Sequence, residues 1–356
     1  MPSSYSKKIQ QENIASRSIL RSAYLERQLQ PLYGLGPWSE CRYWLRGLND
    51  TYRVRTADGG AYMLRVYRAE ALEEEIVFEL ELLERLQSEL SGTAAEASPA
   101  VRLSDGRLYS ALQAPEGIRF AALFQEADGT EDPLQSEEAC RAFGLSAAAL
   151  HAAMDRLSAG TGADGANGKP LPPRAPADLD MLLRRPLRIV LGYIGEDHPE
   201  APFLRRYALG LETAAAEAAA NGLDFGLCHG DMHGNNNALR QADRFAHFDF
   251  EFAAPGWRAW DLAQVKNRKR QSAEQIEPLW QAFLAGYRSI RPFTEADEAA
   301  VGTFALVRRF WTMGLDAELA PMWDGALDFG EDWLAGFVEE FRRSEIGQDA
   351  AVIPEA

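Results

Sequence analysis

The hydrophobic period of this chain changes near residue 125, and that change limits the architectures open to it. Before it, apolar residues fall in short runs separated by turn signals. Thr51–Thr56 (TYRVRT) and Ala61–Arg68 (AYMLRVYR) flank Ala57-Asp58-Gly59-Gly60, a hairpin signal because Asp-Gly-Gly supplies the backbone freedom a tight turn requires. The turn Gly47–Asp50 predicts a second hairpin with the run that begins at Tyr43. Val101–Tyr109 around Asp105-Gly106 predicts a further hairpin, and Arg119–Phe124 (RFAALF) reads as a strand. One helix is predicted in this part over Glu70–Leu90, where Ile76, Leu80, Leu83, Leu86 and Leu90 line one face and Glu73, Glu74 and Glu75 complement the N-terminal dipole. Residues 1–30 read as a short leading helix, and Ser91–Pro99 as a loop.

After Gln125–Gly129 the spacing is helical. Helices are predicted over Ser136–Leu157, Asp178–Tyr193, Pro202–Asn221, Ser272–Ser289, Thr294–Asp316 and Asp332–Arg343, with a Gly/Pro/Ala loop at Ser158–Pro176 and a polar tail from Ser344. A β-rich first third followed by a mostly helical remainder predicts an α+β protein of two lobes, residues 1–125 and 126–356.

The chemistry concentrates in His229–Asp261, HGDMHGNNNALRQADRFAHFDFEFAAPGWRAWD. Asp231 is followed five residues later by Asn236, and an apolar-aromatic run, Phe245–Phe252, then carries Asp249 and Glu251. A carboxylate, a carboxamide and a second carboxylate in that order can accept a hydroxyl proton and hold a divalent metal against a polyphosphate. Asp231 is the candidate base, and Asn236 and Asp249 are the candidate metal ligands; spacing selects Asn236 over its neighbours Asn235 and Asn237. A surface turn would account for the His, Asp and Asn residues but not for the Asp-Phe pair after a strand-like run. Glu251 would share the face of Asp249 in a strand, as a further metal-site carboxylate or as an ion-pair partner. His229 and His233 stand four apart, but Gly230 and Gly234 break the helix that a zinc pair at that spacing needs, so His229 is expected to hold the loop by hydrogen bonds. Asp261 is expected to start a helix as its N-cap and to act indirectly.

Upstream, Arg65 on the strand AYMLRVY and Glu79 on the following helix are candidates for the cation–carboxylate pair that positions phosphates, with Arg in place of the usual Lys; the alternative is a surface Arg on an edge strand and an ordinary helix Glu. Gly47 and Asn49 belong to a small-residue loop suited to covering phosphates, and Phe124–Glu126 stands where a hinge would offer backbone groups to an adenine edge.

Composition excludes other classes. The 356 residues carry a net charge of −16, which opposes nucleic acid and anionic membrane surfaces and favours a cationic or neutral small-molecule partner. Cys41, Cys140 and Cys228 form no disulfide or metal spacing, the N-terminus lacks the apolar core of a signal peptide, and no run reaches the ~18 apolar residues of a membrane span; these point to the cytoplasm.

His229-Gly230-Asp231-Met232-His233-Gly234-Asn235-Asn236 resembles the HGDxHxxN signature of the aminoglycoside phosphotransferase/choline kinase superfamily. Asp249-Phe250-Glu251 and Gly256…Asp261-Leu262-Ala263 are similar to that family's second metal motif and the segment after it, and GLNDTYRV and YMLRVYR to its nucleotide loop and phosphate-positioning strand. Arg174–Leu183 and Phe310–Leu319 are similar to the branch containing homoserine kinases and a bacterial stress-response Ser/Thr kinase. The resemblance implies a bilobal protein-kinase-like fold, with a small β-rich, nucleotide-binding N-lobe containing one helix and a larger helical C-lobe. It implies Mg²⁺-assisted transfer of the γ-phosphate of ATP, or of GTP, to the hydroxyl of an amino alcohol, an aminoglycoside-like antibiotic, a nucleoside or a related metabolite. It carries over Asp231 as base, Asn236 and Asp249 as metal ligands, and Arg65 with Glu79 as the phosphate-positioning pair. The alternatives are a protein Ser/Thr kinase of the stress-response type and, because Arg65 replaces Lys, a nucleotide-binding pseudokinase.

Overall fold

The computed structural model describes residues 15–131, 134–160, 170–233, 236–240, 244–266, 271–323, 329–330 and 332–346. The expected start of the leading helix (1–14), the middle of the Ser158–Pro176 loop (161–169), Gly234, Asn235 and the tail beyond 346 lie outside the described residues. Among the described residues no helix is long and apolar enough to cross a membrane. The chain divides into two compact units, each built on its own core.

The first unit comprises the described residues up to Ala71 and Val101–Phe124, with Met322 and Trp323. Helix α1 (Ser22–Leu29) packs on a five-stranded sheet made of β1 (Trp38–Arg46), β2 (Asp50–Thr56), β3 (Ala61–Val66), β5 (Ser110–Ala114) and β6 (Gly117–Gln125), in the order β1-β2-β3-β6-β5. The predicted hairpins β1–β2 and β2–β3 are antiparallel, with Cys41 opposite Val54 and Tyr52 opposite Leu64. Alternation along β2 turns Asp50, Tyr52, Val54 and Thr56 inward. Tyr52, Val54, Leu64, Val66, Leu112 and Leu123 join Leu25 and Leu29 of α1 in the core, each apolar side chain contributing about 1.5–3 kcal/mol of burial. The Tyr52 hydroxyl donates to Leu20 O at 2.6 Å, which fastens the segment before α1 to the sheet.

Two expectations for this part are corrected. Val101–Tyr109 is a local turn closed by Leu103 N–H to Arg107 O at 2.8 Å; the hairpin ladder lies one segment later, between β5 and β6. Gly117, at φ +123°, makes the reversal that a side chain would strain. The leading helix is confined, among described residues, to Ser22–Leu29.

The second unit holds the remaining helices and two small sheets. Helix α2 (Glu73–Glu89) buries Ile76, Leu80, Leu83 and Leu86, the face read from the sequence. The segment Ser91–Pro99 is not wholly a loop, because β4 (Ala95–Ala97) pairs in parallel with β9 (Phe245–His247), which pairs in turn with β8 (Asn237–Leu239). Strands β7 (Phe225–Cys228) and β10 (Ala254–Trp257) form a second ladder. Helices α3 (Glu137–Ser158) and α7 (Ala273–Arg288) cross closely: a Cβ on Gly144 would lie 2.0 Å from Phe283 O, and one on Gly286 2.0 Å from Arg141 O. The predicted helix from Asp178 begins as a π-helical turn, Asp180–Arg184, before α4 (Arg185–Ile194); Pro186 lacks the N–H that a continuous α-helix would use. Helices α5 (Ala201–Ala220), α8 (Glu295–Met322) and α9 (Trp333–Ile346) meet in an aromatic cluster in which Tyr207, Phe310 and Phe341 stack. A β-sheet N-terminal region and a helical C-terminal region make the protein α+β.

Candidate active site

Strand β7 delivers the chain into His229–Asp231, and side chains from several elements fasten that loop. Gly230 has φ +83°, and a Cβ there would lie 2.0 Å from Phe252 O, so glycine alone fits. The N–H groups of His229 and Gly230 donate to Asp261 at 2.6 and 2.8 Å. Asp261 is fully buried within helix α6 (Arg258–Ala263), whose N-cap is Trp257. The expectation that Asp261 caps its own helix is therefore corrected: it caps the loop instead. Burial alone would raise its pKa, but hydrogen bonds from His151 (Nε2, 3.1 Å) and the Gly230 N–H outweigh that and hold it down. The carbonyl of Gly230 accepts from Trp260 Nε1 at 3.2 Å and Gln264 Nε2 at 3.1 Å.

His229 behaves as expected of a loop holder. Its Nδ1 accepts the Asp231 N–H at 3.2 Å, which leaves Nε2 to donate to Phe248 O at 3.2 Å. Burial lowers its pKa and keeps the ring neutral, and the ring packs 4.3 Å from that of Phe250. One imidazole thus joins the Asp231 backbone to the segment that leads to Asp249.

The Asp231 side chain is almost buried, at 12% exposure. Its Oδ1 is ion-paired with Arg308 of α8. Asn236 Nδ2 donates to its Oδ2 at 2.9 Å, and His233 Nε2 stands 3.3 Å from the same oxygen. Burial pushes the carboxyl pKa up, but the Arg308 charge and the His233 contact outweigh it, and the group is held well below the usual carboxylate range. Arg308 is itself held over the Trp311 ring at 4.4 Å and near Trp260 at 5.4 Å, with Nη1 3.4 Å from Gly230 O.

The Asn236 amide nitrogen also donates to Asp231 O at 2.9 Å. With its nitrogen directed at Asp231, the side chain has its carbonyl oxygen as the atom for a ligand. Asp249 adopts φ +66°, a left-handed conformation that costs about 1–3 kcal/mol in a non-glycine residue and turns the chain away from β9. The strand therefore ends at His247, and the expectation that Glu251 shares a strand face with Asp249 is corrected. Instead the Glu251 carbonyl accepts from Arg174 Nη2 at 3.0 Å. A carboxamide oxygen and one carboxylate are hard oxygen donors, of the kind that could hold a hard divalent cation.

The residues expected to contact nucleotide lie as follows. Arg65 on β3 holds its guanidinium 5.2 Å from the Phe124 ring and 5.7 Å from that of Tyr67. Glu79 is buried on α2 at 1% exposure. Gly47 N–H donates to the Asn49 backbone O at 3.0 Å, which closes the turn, and the Asn49 side-chain oxygen accepts Arg68 N–H at 2.9 Å, which ties the turn to the segment after β3. Asp50, fully buried at the end of that turn, pairs with Arg119 at 2.8 Å and Arg17 at 3.3 Å. Glu126 follows β6 and is half-buried.

Sequence reasoning overlooked Arg308, Arg174 and His151. Arg308 had a legible signal, the pair of charges Arg308-Arg309 within the apolar and aromatic run Phe304–Trp311. Arg174 opens the segment Arg174–Leu183 that carries a family resemblance, but nothing there marks its partners; His151 had no signal, since it belongs to no spaced motif.

Residues 46–293 match the phosphotransferase enzyme family, APH. An uncharacterized protein of Deinococcus radiodurans is 36% identical over 303 residues, covering 81% of this chain and 83% of that protein. The homoserine kinase of Neisseria meningitidis serogroup B is 27% identical over 291 residues, covering 80% and 85%. Among solved structures, an amicoumacin kinase in complex with AMP-PNP, Ca²⁺ and amicoumacin aligns with a TM-score of 0.68 at 18% identity, covering 91% of this chain and 93% of that one. A microcompartment-associated aminopropanol kinase aligns with a TM-score of 0.67 at 20% identity, covering 92% and 99%. These structural likenesses establish a kinase-like α+β fold. The family match extends from the end of β1 past the last residue of α7, through every segment of the His229–Asp261 stretch, and on that ground the chain belongs to the phosphotransferase enzyme family and is a kinase.

Proposed function

We propose that this kinase transfers the γ-phosphoryl group of ATP to the hydroxyl of a small molecule, with amino alcohols as the first class of acceptor. The observation that carries the reading is the Asp231 carboxylate held between Arg308 and Asn236. The acceptor hydroxyl donates to Asp231, its oxygen bonds to the γ-phosphorus as the bond to the bridging oxygen breaks, and its proton passes to Asp231. In a loose transition state the proton moves late, so a weakly basic carboxylate that stays ionised and correctly aimed is sufficient. Asn236 and Asp249 would hold the divalent ion, magnesium in this reading, which when bound with nucleotide neutralises charge on the phosphate oxygens. Arg65, fixed over Phe124, and buried Glu79 are assigned to phosphate positioning, and Arg keeps that charge at any working pH. Gly47 and Asn49 form the loop for the phosphates, and the backbone at Phe124–Glu126 is assigned to the adenine.

Family membership supports the chemistry. The names of a homoserine kinase and an aminopropanol kinase among the similar proteins support an amino-alcohol acceptor, and the net charge of −16 agrees with a cationic one. The test is ATP consumption and product mass with homoserine, aminopropanol and amicoumacin as acceptors. The expected result is a phosphorylated product from one or more small hydroxyl compounds in the presence of Mg²⁺. ATP bound without any transfer, or phosphate found only on protein, would overturn it.

A further inference from the structure

The segment Pro170–Ala177 has no regular secondary structure, yet it is fastened at both ends. Pro170 O accepts from Arg85 Nη2 of α2 at 3.3 Å, and Ala177 N–H donates to Pro255 O of β10 at 2.7 Å. Between these anchors lies Arg174, whose side chain is 8% exposed. Its Nη1 stands 3.0 Å from Glu75 Oε1 in the first turn of α2, and its guanidinium lies 5.8 Å from the Phe78 ring of the same helix. Its Nη2 donates to Glu251 O at 3.0 Å. A planar guanidinium can grip two points in fixed relation, which an ammonium cannot. The point gripped on the far side is a backbone carbonyl, so the contact depends on the conformation of the turn. That turn is the one set by the left-handed Asp249, and its Phe252 carbonyl fills the space beside Gly230. On α2, Glu75 stands one turn before Glu79.

We propose that Arg174 is a positioning residue that fixes α2, which carries Glu79, in register with the Asp249–Phe252 turn, so that the phosphate-positioning helix and the candidate metal ligand are set by one side chain. The proposal rests on the reading of Asp249 as a ligand. It predicts that Arg174→Ala will loosen two segments distant in sequence, the first turns of α2 and residues 249–253, while α7 and α9 keep their protection.

The experiment is amide hydrogen exchange on the full chain without nucleotide, together with affinity for AMP-PNP in Mg²⁺, the acceptor KM and the melting temperature, for Arg174→Ala, Arg174→Lys and Glu75→Gln. Expected are faster exchange confined to those two segments and a rise of about 10- to 100-fold in the nucleotide Kd, the usual loss on removing a support of a metal ligand. The acceptor KM should stay unchanged, and Arg174→Lys should recover part of the loss. Wild-type exchange and nucleotide affinity in Arg174→Ala would overturn the proposal, as would faster exchange spread through the whole unit with a fall in melting temperature. Asp249→Asn, which tolerates the left-handed backbone, separates the two readings. If Asp249→Asn is defective in nucleotide affinity and Arg174→Ala is not, the coupling alone fails. If Asp249→Asn is normal, the ligand reading fails, and the exchange pattern still decides whether Arg174 couples the two segments.

Discussion

Asp231 is useful to a phosphotransferase because its neighbours restrict it. Arg308 holds one oxygen, Asn236 the other, and His229 the backbone N–H, so the carboxylate cannot rotate away from an acceptor. Arg308→Ala should lower kcat by about 10- to 100-fold by freeing one oxygen of a nearly buried carboxylate, with Arg308→Lys intermediate because a point charge replaces a fork. Steady-state kinetics on the accepted substrate would show this, and an unchanged kcat would contradict it. Gly230→Ala should lose about 2–4 kcal/mol of stability, since the new Cβ meets Phe252 O at 2.0 Å and the residue must hold φ +83°; urea titration would measure it. At this scale the sequence was informative wherever partners are close along the chain. Asp231, Asn236 and His229 lie within one loop, and their spacing carried their grouping. Arg308 lies 77 residues from Asp231, and helical periodicity does not say which residue of another element a buried charge will meet.

Elements were legible to the degree that their pattern is local. Helix α2 follows from a 3.6-residue apolar stripe, and the hairpins of the first sheet from Gly-containing turns. Strand β4 was not legible, because Ala-Glu-Ala has no strand character of its own and its partner β9 lies far along the chain. The run from Phe245 has strand character throughout, yet β9 ends at His247, and two residues later the left-handed Asp249 re-aims a carboxylate. The crossing of α3 and α7 leads to a prediction at this scale. Gly144→Ala or Gly286→Ala places a Cβ 2.0 Å from a carbonyl of the other helix and should destabilise by about 1–3 kcal/mol through overpacking. Thermal melting would detect it, and an unchanged melting temperature would mean that the helices are free to separate.

For the molecule as a whole, the second unit contains buried histidines whose protonation opposes folding. Burial, with the nearby Arg258 charge, pushes His151 down to about 4; burial, with His229 next, pushes His247 down to about 3. Unfolded histidine titrates near about 6.5. Between that value and the folded values the unfolded chain binds more protons, so this stability is complete above about pH 6.5 and is lost as pH falls toward 4. Urea unfolding at about pH 5.5 should yield roughly 2–3 kcal/mol less stability than at about pH 7.5, and equal stabilities would show that these rings already carry charge in the fold. The α+β order of the chain was readable from its change of period, but the acceptor was not, because no spaced motif in the helical part of the sequence encodes one.

The most direct test of the account is a comparison of wild-type protein with Asp231→Asn in a single-turnover transfer from γ-labelled ATP to an accepted small hydroxyl compound. Asparagine keeps the shape of the side chain and removes the charge that orients and deprotonates the hydroxyl. Asp231→Asn should bind ATP as tightly as the wild type and transfer label about 10²–10⁴-fold more slowly. Transfer at the wild-type rate would contradict it.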